Sequence, residues 1–190
     1  MEYVKDLETP AVIVDLDIME KNLKHTAELA RNAGVKLRPH CKTHKSIWIA
    51  KKQLEYGAAG ITVAKLSEAE VMVNGGIDDI LVAYPIVGEK KLKRLEKLIK
   101  RASIIVCTDS VEVSQGLSDL GVSMGRKIKT YVQVNSGLQR CGREPGEETV
   151  ELVKSIIGLP GIEIIGLITH AGFSYDYVGE DSIITFLAVL

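Results

Sequence analysis

Arg38, His40 and Lys42 stand at alternate positions in the segment 37–45, which reads Leu-Arg-Pro-His-Cys-Lys-Thr-His-Lys. Because side chains alternate across a strand, a strand here would turn all three polar side chains to one face. An amine held beside other cations loses its proton more readily and becomes a nucleophile that can form a Schiff base. The pattern therefore predicts an anion-binding pocket around a reactive Lys42. The alternative is a solvated strand tip, which is the commoner role of a lysine.

Further polar residues follow other β-branched runs, among them Tyr84, Asn135 and His170. The carboxyl ends of parallel strands meet at one edge of a sheet, so we expect these side chains to lie on the same side as Lys42. In a barrel of parallel strands that edge carries the active site, and a doubly wound sheet also binds ligands there. Because polar residues follow nearly every strand rather than one switch point, the barrel is favoured.

Short apolar runs alternate with amphipathic helical stretches along the whole chain. Units of roughly 25 residues of this kind imply right-handed crossovers and a parallel sheet. The fold class is therefore α/β, a (β/α)8 TIM-type barrel that is incomplete because only about seven strands can be placed. The predicted strands are 11–17, 36–42, 60–64, 80–84, 104–107, 129–134 and 162–168.

Two helix starts carry a capping signal, an acidic or hydroxyl residue followed three positions later by glutamate. Asp17 with Glu20 is expected to cap the first helix, and Ser67 with Glu70 the helix after the third strand. The apolar stripe of the first helix is predicted to comprise Met19, Leu23, Ala27 and Ala30.

The amino-acid composition argues against some classes of binding partner. The chain has 190 residues, 46% hydrophobic and 26% charged, with a formal net charge of −1, so no bulk charge favours nucleic acid or an anionic membrane. The sequence has no apolar run of the roughly 18 residues that a membrane span needs. The first residues lack an apolar signal region, so a cytoplasmic location is expected. Three dispersed cysteines fit reduced thiols better than a disulfide framework.

Four motifs together resemble one enzyme family. They are Thr9-Pro10-Ala11, the segment 38–45 described above, Asn-Ser-Gly-Leu-Gln-Arg-Cys-Gly at 135–142, and Thr-His-Ala-Gly-Phe-Ser-Tyr at 169–175. In order and spacing they resemble the N-terminal barrel of the fold-type III pyridoxal 5′-phosphate (PLP) enzymes, the alanine racemase-like group. Within it they are similar to the D-threonine aldolase and D-serine dehydratase-like branch. The resemblance implies that 1–190 is a truncated PLP-binding barrel domain without the C-terminal β-domain.

The resemblance implies that Lys42 is the catalytic lysine, which holds PLP as an aldimine. Its neighbour His40 is expected to line the cofactor pocket. Lys45 is the competing lysine, but it falls three residues later, where the next helix begins and where a solvated side chain is expected.

Arg140 is implied to approach the phenolic oxygen of PLP, where a guanidinium would stabilise the phenolate. Without the family, a surface arginine in a loop is an open alternative. Asn135 departs from the family pattern, which has aspartate there, and Arg143 stands where an apolar residue is usual. The missing carboxylate would weaken an ion pair that orients Arg140.

His170 and Tyr175 are implied to contact the cofactor, through a hydrogen bond, ring stacking, the pyridine nitrogen or the phosphate. Phe173 replaces a second histidine of the family pattern, which removes one polar contact. From the residues alone, His170 could equally be a core histidine with satisfied hydrogen bonds.

The implied function is a PLP-dependent lyase that cleaves D-3-hydroxy amino acids to glycine and an aldehyde, as D-threonine aldolase does. D-serine dehydratase or racemase activity of the same fold stays open, as do a non-catalytic PLP carrier and an inactive fragment. The implied partners are a small-molecule D-amino acid and a second subunit, since the full-length family forms homodimers. A divalent metal is expected only in the C-terminal domain, and no metal ligands are assigned within 1–190. This chain alone is therefore expected not to turn over D-threonine.

Overall fold

The computed structural model describes residues 4–172. These residues form a 3₁₀ turn at Val4–Asp6, six helices and five strands, and helices and strands alternate from the second helix onward. In chain order they are α1 (Leu16–Asn32), α2 (Ile47–Glu55), β1 (Ile61–Val63), α3 (Leu66–Asn74), β2 (Asp79–Pro85), α4 (Glu89–Ile99), β3 (Ser103–Thr108), α5 (Val111–Ser123), β4 (Ile128–Val134), α6 (Glu147–Ile156) and β5 (Ile162–Thr169). Within residues 4–172, no helix is both long and apolar enough to span a membrane.

The five strands form one parallel sheet in the order β1-β2-β3-β4-β5. Each strand pairs with the next strand in sequence, and a helix covers every crossover. A doubly wound sheet would reverse its strand order at a switch point, and the described part of the chain shows no such reversal. The predicted α/β class and incomplete barrel are confirmed, with five consecutive barrel strands in place.

Strands β1, β2 and β3 are largely buried on both faces, as expected of parallel strands under helices, whereas most of β5 is partly exposed. The larger core lies between sheet and helices and contains the fully buried Ile61, Ile80, Val106 and Leu117. A second, smaller cluster of Leu81, Ile105 and Cys107 lies on the opposite face, which is the inside of the barrel. Polar side chains of the same inner face are therefore directed into the barrel rather than into the helical layer.

The prediction of a strand at 11–17 is wrong, because α1 already begins at Leu16. Its N-cap is Asp15, whose side chain accepts a hydrogen bond of 3.0 Å from the Ile18 amide, and Asp17 lies in the first turn. An extended aspartate with a free carboxylate oxygen is a better cap than one already in the helix. The predicted stripe is confirmed, since the side chains of α1 withdrawn from solvent are those of Met19, Leu23, Ala27 and Ala30.

The prediction of a strand at 36–42 is also wrong in its extent. The segment runs parallel to β1, but only His40 and Thr62 form a bridge. The Thr62 amide donates to the Pro39 carbonyl over 2.7 Å, and the Cys41 amide donates to the Thr62 carbonyl over 2.8 Å. Pro39 has no N–H of its own, so the ladder cannot extend towards the residues before it. After Cys41 the chain turns away, and the Lys45 amide donates to the Cys41 carbonyl.

The cap predicted for α3 is wrong as well. The helix begins at Leu66 after Lys65, whose side chain makes no capping bond, and Ser67 lies within the first turn. Instead the Glu68 carboxylate accepts a hydrogen bond of 2.8 Å from the Ala64 amide. A glutamate in the first helical turn can satisfy an amide that precedes the helix, which makes a serine cap unnecessary.

Gly161 brings α5 against the start of β5. Its amide donates to the Ser118 hydroxyl over 3.0 Å and its carbonyl accepts from the Ile128 amide over 2.9 Å. A Cβ at this position would overlap the backbone of Ser118, including its Cα at 2.9 Å. The close approach of helix and strand therefore requires glycine here for space.

Gly161→Ala is expected to lower the free energy of unfolding by about 1–3 kcal/mol, because an overpacked contact between backbones has no flexible side chain to move. Gly158→Ala is the matched control in the same connection, since a Cβ there meets nothing within 4 Å. Urea denaturation of both variants measures the difference. Equal stability of the two variants would contradict the steric argument.

Candidate active site

A cavity of about 290 Å³ lies inside the barrel, towards the carboxyl ends of the strands. Among the described residues its lining contains cationic, imidazole, amide and hydroxyl groups but no aspartate or glutamate. The lining residues are Arg38, His40, Lys42, Thr62, Leu81, Ala83, Gln133, Arg140, Ile168, Thr169 and His170. Four of the five predicted site residues therefore share one cavity that suits an anion.

Lys42 reaches this cavity from a turn, not from a strand. The Lys42 amide donates to Nδ1 of His40 over 3.3 Å, and the Lys45 amide donates to the Cys41 carbonyl over 2.8 Å. Cys41 is buried in the main core, while Lys42 is exposed. The predicted alternation of side chains therefore holds for these two residues. Cys41 points into the core beneath the helices, and Lys42 points to the cavity.

The competing lysine, Lys45, does not line the cavity. Its amine pairs with the Glu68 carboxylate at 2.5 Å. Of the two lysines of the motif, Lys42 therefore has the free approach to the cavity.

Arg38 lines the cavity but is already neutralised. Its guanidinium pairs with the Asp79 carboxylate at 2.7 Å, at the amino end of β2. Its Nη1 approaches the backbone of Gly60 so closely that a Cβ there would overlap it. Arg38 is thus part of the barrel floor rather than a cationic neighbour of Lys42.

His40 is held next to Lys42 in its neutral form. Burial lowers the pKa of the imidazole most, the charge of Lys42 lowers it further, and Glu68 acts in the opposite direction. Because Nδ1 accepts a hydrogen bond from the Lys42 amide, the neutral ring carries its proton on Nε2. The ring can therefore donate a hydrogen bond from Nε2 or stack against a planar ligand.

His170 follows β5 on the far side of the same cavity. Burial lowers the pKa of His170, and the charges of Arg140 and Lys42 lower it further. The three side chains line one cavity, although the sequence separates Lys42 from His170 by more than 120 residues. His170 is partly exposed and lines the cavity, so it is not a fully buried core side chain.

Arg140 lies in the exposed loop between β4 and α6. The buried side chain of Asn135, at the start of this loop, holds it through hydrogen bonds. The Asn135 Oδ1 accepts hydrogen bonds from the amides of Gly137 at 3.2 Å and Gln139 at 3.1 Å, and its Nδ2 donates to Glu144 at 2.6 Å. Asn135 is 5% exposed. It therefore shapes the loop that carries Arg140 and does not orient the guanidinium through an ion pair.

Arg143, the other departure from the family pattern, fastens the end of this loop. Its Nε donates to the Asp109 carbonyl at 2.8 Å, and the Gly142 amide donates to the Asp109 carboxylate at 3.3 Å. Gly142 adopts φ +99°, and a Cβ there would lie 2.7 Å from the Asn135 nitrogen. The glycine is thus required both for its backbone angle and for its close approach to β4.

Gln133 is a cavity residue that the sequence reasoning missed. It is 4% exposed, and its Oε1 is buried without a hydrogen-bond partner among the described residues. A buried amide oxygen of this kind requires a donor, and the cavity is the space into which one would fit. The available signal was its position two residues before Asn135, on the strand face that points into the barrel.

Two expectations find no support in this cavity. Tyr84 is 48% exposed and lines a separate depression with Lys65 and Arg94. Tyr175, predicted to contact the cofactor, lies outside the described residues, as does Phe173. Across residues 4–172, no group of three metal-ligating side chains is close enough to hold a metal ion.

Comparison with known proteins assigns the family. The model of the alanine racemase N-terminal domain matches residues 14–188. The chain belongs to this family of enzymes. It is 36% identical over 171 residues to D-threonine aldolase of an Arthrobacter species, covering 90% of this chain and 45% of that protein. It is 33% identical over 169 residues to 3-hydroxy-D-aspartate aldolase of Paracoccus denitrificans, covering 88% and 44%.

A solved structure of the same kind supports the fold. The crystal structure of D-threonine aldolase from Filomicrobium marinum superposes with a TM-score of 0.92 and 38% identity, over 97% of this chain and 50% of that one. The chain thus spans half or less of the length of the relatives it matches. The predicted resemblance to the alanine racemase-like group and its D-threonine aldolase branch is confirmed.

Asn135→Asp is expected to lower the free energy of unfolding by about 1–3 kcal/mol, because the new carboxylate cannot donate to Glu144 and repels it. The double variant Asn135→Asp/Glu144→Gln restores a donor–acceptor pair and should recover part of the loss. Denaturant unfolding of the two variants is the measurement. A single variant as stable as the parent would contradict the assigned role of the amide.

In the free protein, His40 and His170 are expected to titrate below the ordinary histidine value of about 6.5. A bound anion offsets the charges of Lys42 and Arg140 and favours imidazolium, so inorganic phosphate or PLP should move both midpoints upward. Arg140→Met removes a cation that lowers the pKa of His170 and should raise its midpoint, leaving that of His40 nearly unchanged. NMR titration of the imidazole ring protons measures these shifts. Titration midpoints of His40 and His170 that stay the same when the anion is added would contradict anion binding.

Proposed function

We propose that the chain is the cofactor-binding barrel part of a PLP-dependent lyase that cleaves D-3-hydroxy amino acids, with D-threonine aldolase activity. The observation that carries the proposal is the placement of Lys42 at a cavity lined by Arg140, His40 and His170 without any described carboxylate. Relatives named as aldolases of D-threonine and 3-hydroxy-D-aspartate support the substrate class. The metal and the remaining acid–base groups are assigned to the part of the longer relatives that this chain does not span.

The cavity residues fit a phosphorylated, phenolic aldehyde. Such a molecule carries negative charge that Arg140 can neutralise, and it needs one amine, which Lys42 supplies. The unpartnered Oε1 of Gln133 offers an acceptor within the same cavity. When bound, the cofactor supplies a ring that takes up the electron pair released at the substrate α-carbon.

The protein residues then have separate tasks. Lys42 would attach the cofactor covalently, and the planar Arg140 guanidinium would bind its phenolic oxygen. His40 and His170 line the same cavity, and burial and nearby cations lower the pKa of both, so they would border a bound ring without adding further positive charge. The apolar Leu81 and Ala83 form the wall of the cavity on β2 and limit access of water from that side.

Addition of PLP to the purified chain is expected to give a visible imine band, and borohydride should trap the adduct on Lys42. Lys42→Ala should abolish both signals, whereas Lys51→Ala, which changes an exposed lysine of α2, should leave them intact. Peptide mass spectrometry locates the adduct. No adduct in a chain shown to be folded by circular dichroism would overturn the proposed cofactor.

The reaction type is tested with a protein that contains this chain and has the length of the matched relatives. The protein is supplied with PLP and a divalent metal. With D-threonine, an aldolase yields glycine and acetaldehyde, a dehydratase yields ammonia and a keto acid, and a racemase, which inverts only the α-carbon, yields L-allo-threonine. We expect the first pair of products. Ammonia or L-allo-threonine as the main product would replace the aldolase assignment by another activity of the same family.

A further inference from the structure

We propose that the ion pair between Lys45 and Glu68 determines where the Lys42 amine points, and that Glu68 is a positioning residue for the reaction of that amine with the cofactor. The inference rests on the proposed function, because it concerns how Lys42 is presented to a carbonyl. It adds a residue on α3 that neither borders the cavity nor belongs to the lysine motif.

The first end of the lysine turn is anchored in the core. Cys41 is 1% exposed, and its amide donates to the Thr62 carbonyl of β1 over 2.8 Å. The turn closes when the Lys45 amide donates to the Cys41 carbonyl, also over 2.8 Å. Lys42 therefore stands inside a closed five-residue turn, 41–45, whose conformation depends on both ends.

The second end is held only if Lys45 keeps an unfavourable backbone conformation. Lys45 has φ +51°, in the left-handed region that residues with a side chain rarely adopt. Such a conformation persists when surrounding contacts fix it. Besides the backbone hydrogen bond to Cys41, the contact that holds Lys45 is the ion pair of its amine with Glu68 at 2.5 Å.

Glu68 is suited to this task because it is fixed itself. One carboxylate oxygen accepts from Lys45 and the other accepts from the Ala64 amide at 2.8 Å. The Glu68 side chain is 10% exposed. Burial raises the pKa of Glu68, but the hydrogen bonds from Lys45 and Ala64 outweigh it and leave the pKa below its ordinary value. The carboxylate is therefore ionised and joins the turn to β1 and α3.

The same ion pair decides which of two lysines reacts. Lys42 and Lys45 are three residues apart in one turn, and an amine bound to a carboxylate is a poor nucleophile. Glu68 thus has two effects, since it aims Lys42 into the cavity and withholds Lys45 from the aldehyde. A purely structural ion pair would change stability without changing the site of modification.

A matched control lies two residues further along α3. Glu70 forms a bidentate pair with Arg94, with both distances 2.7 Å, and it has no contact with the lysine turn. Glu70→Gln therefore removes an ion pair of the same helix at a comparable distance. It reports the general cost of losing a carboxylate on α3.

The test measures the apparent dissociation constant for PLP and the distribution of the borohydride-trapped adduct between Lys42 and Lys45 in the 190-residue chain. Glu68→Gln is expected to weaken imine formation at Lys42 on the order of tenfold to a hundredfold, since small displacements of reacting groups have such effects. Adduct should also appear at Lys45. Lys45→Met should give a similar loss at Lys42, and the double variant should be no worse than either single variant.

Lys45→Arg keeps the ion pair and should retain parental reactivity at Lys42. If Glu68→Gln and Lys45→Met both behave as Glu70→Gln does, with all adduct on Lys42, the positioning role is overturned while the proposed function stands. If the parent chain itself gives no adduct, the proposed function fails instead. Circular dichroism of each variant shows that it is folded, and Lys45→Met keeps the test decisive should Glu68→Gln not fold.

Discussion

The site depends on one short stretch of backbone pairing, in which the segment around Pro39 lies parallel to β1. Two hydrogen bonds through Thr62, one accepted by Pro39 and one donated by Cys41, are enough to bring Lys42 to the inside of the barrel. Proline removes the ladder donor before this pairing, and the turn that the Lys45 amide closes on the Cys41 carbonyl ends the pairing after it. Lys42 therefore reaches the cavity from a turn.

The electrostatics of the cavity follow from that placement. Lys42 and Arg140 both line the cavity, and its described lining contains no aspartate or glutamate. Burial and then these positive charges lower the pKa of His40 and His170. The carboxylates nearby serve other cations, since Asp79 pairs with Arg38 and Glu68 with Lys45. These two carboxylates therefore stabilise the backbone segments around the site. The positive charges of Lys42 and Arg140 are available to a ligand.

In the loop after β4, the residues around Asn135 form hydrogen bonds that suit an asparagine at this position. Asn135 differs from the aspartate of the family pattern, yet it accepts two loop amides and also donates to Glu144, which an aspartate could not do. Arg143 adds a bond to Asp109 at the end of β3. The departures from the pattern therefore stabilise the loop that carries Arg140 by a different set of hydrogen bonds.

The sequence by itself determined the family and the five parallel strands from 61 to 169, because periodicity and motifs are local properties of a chain, and it predicted Lys42 as the reactive amine. It misplaced the first two strands, since the Asp15 cap of α1 and the single bridge between His40 and Thr62 depend on how neighbouring backbone is placed. Only the tertiary structure brought Gln133 into the cavity and Glu68 beneath the lysine turn. Those contacts join residues far apart in sequence, and which groups meet is decided by the register and curvature of the barrel.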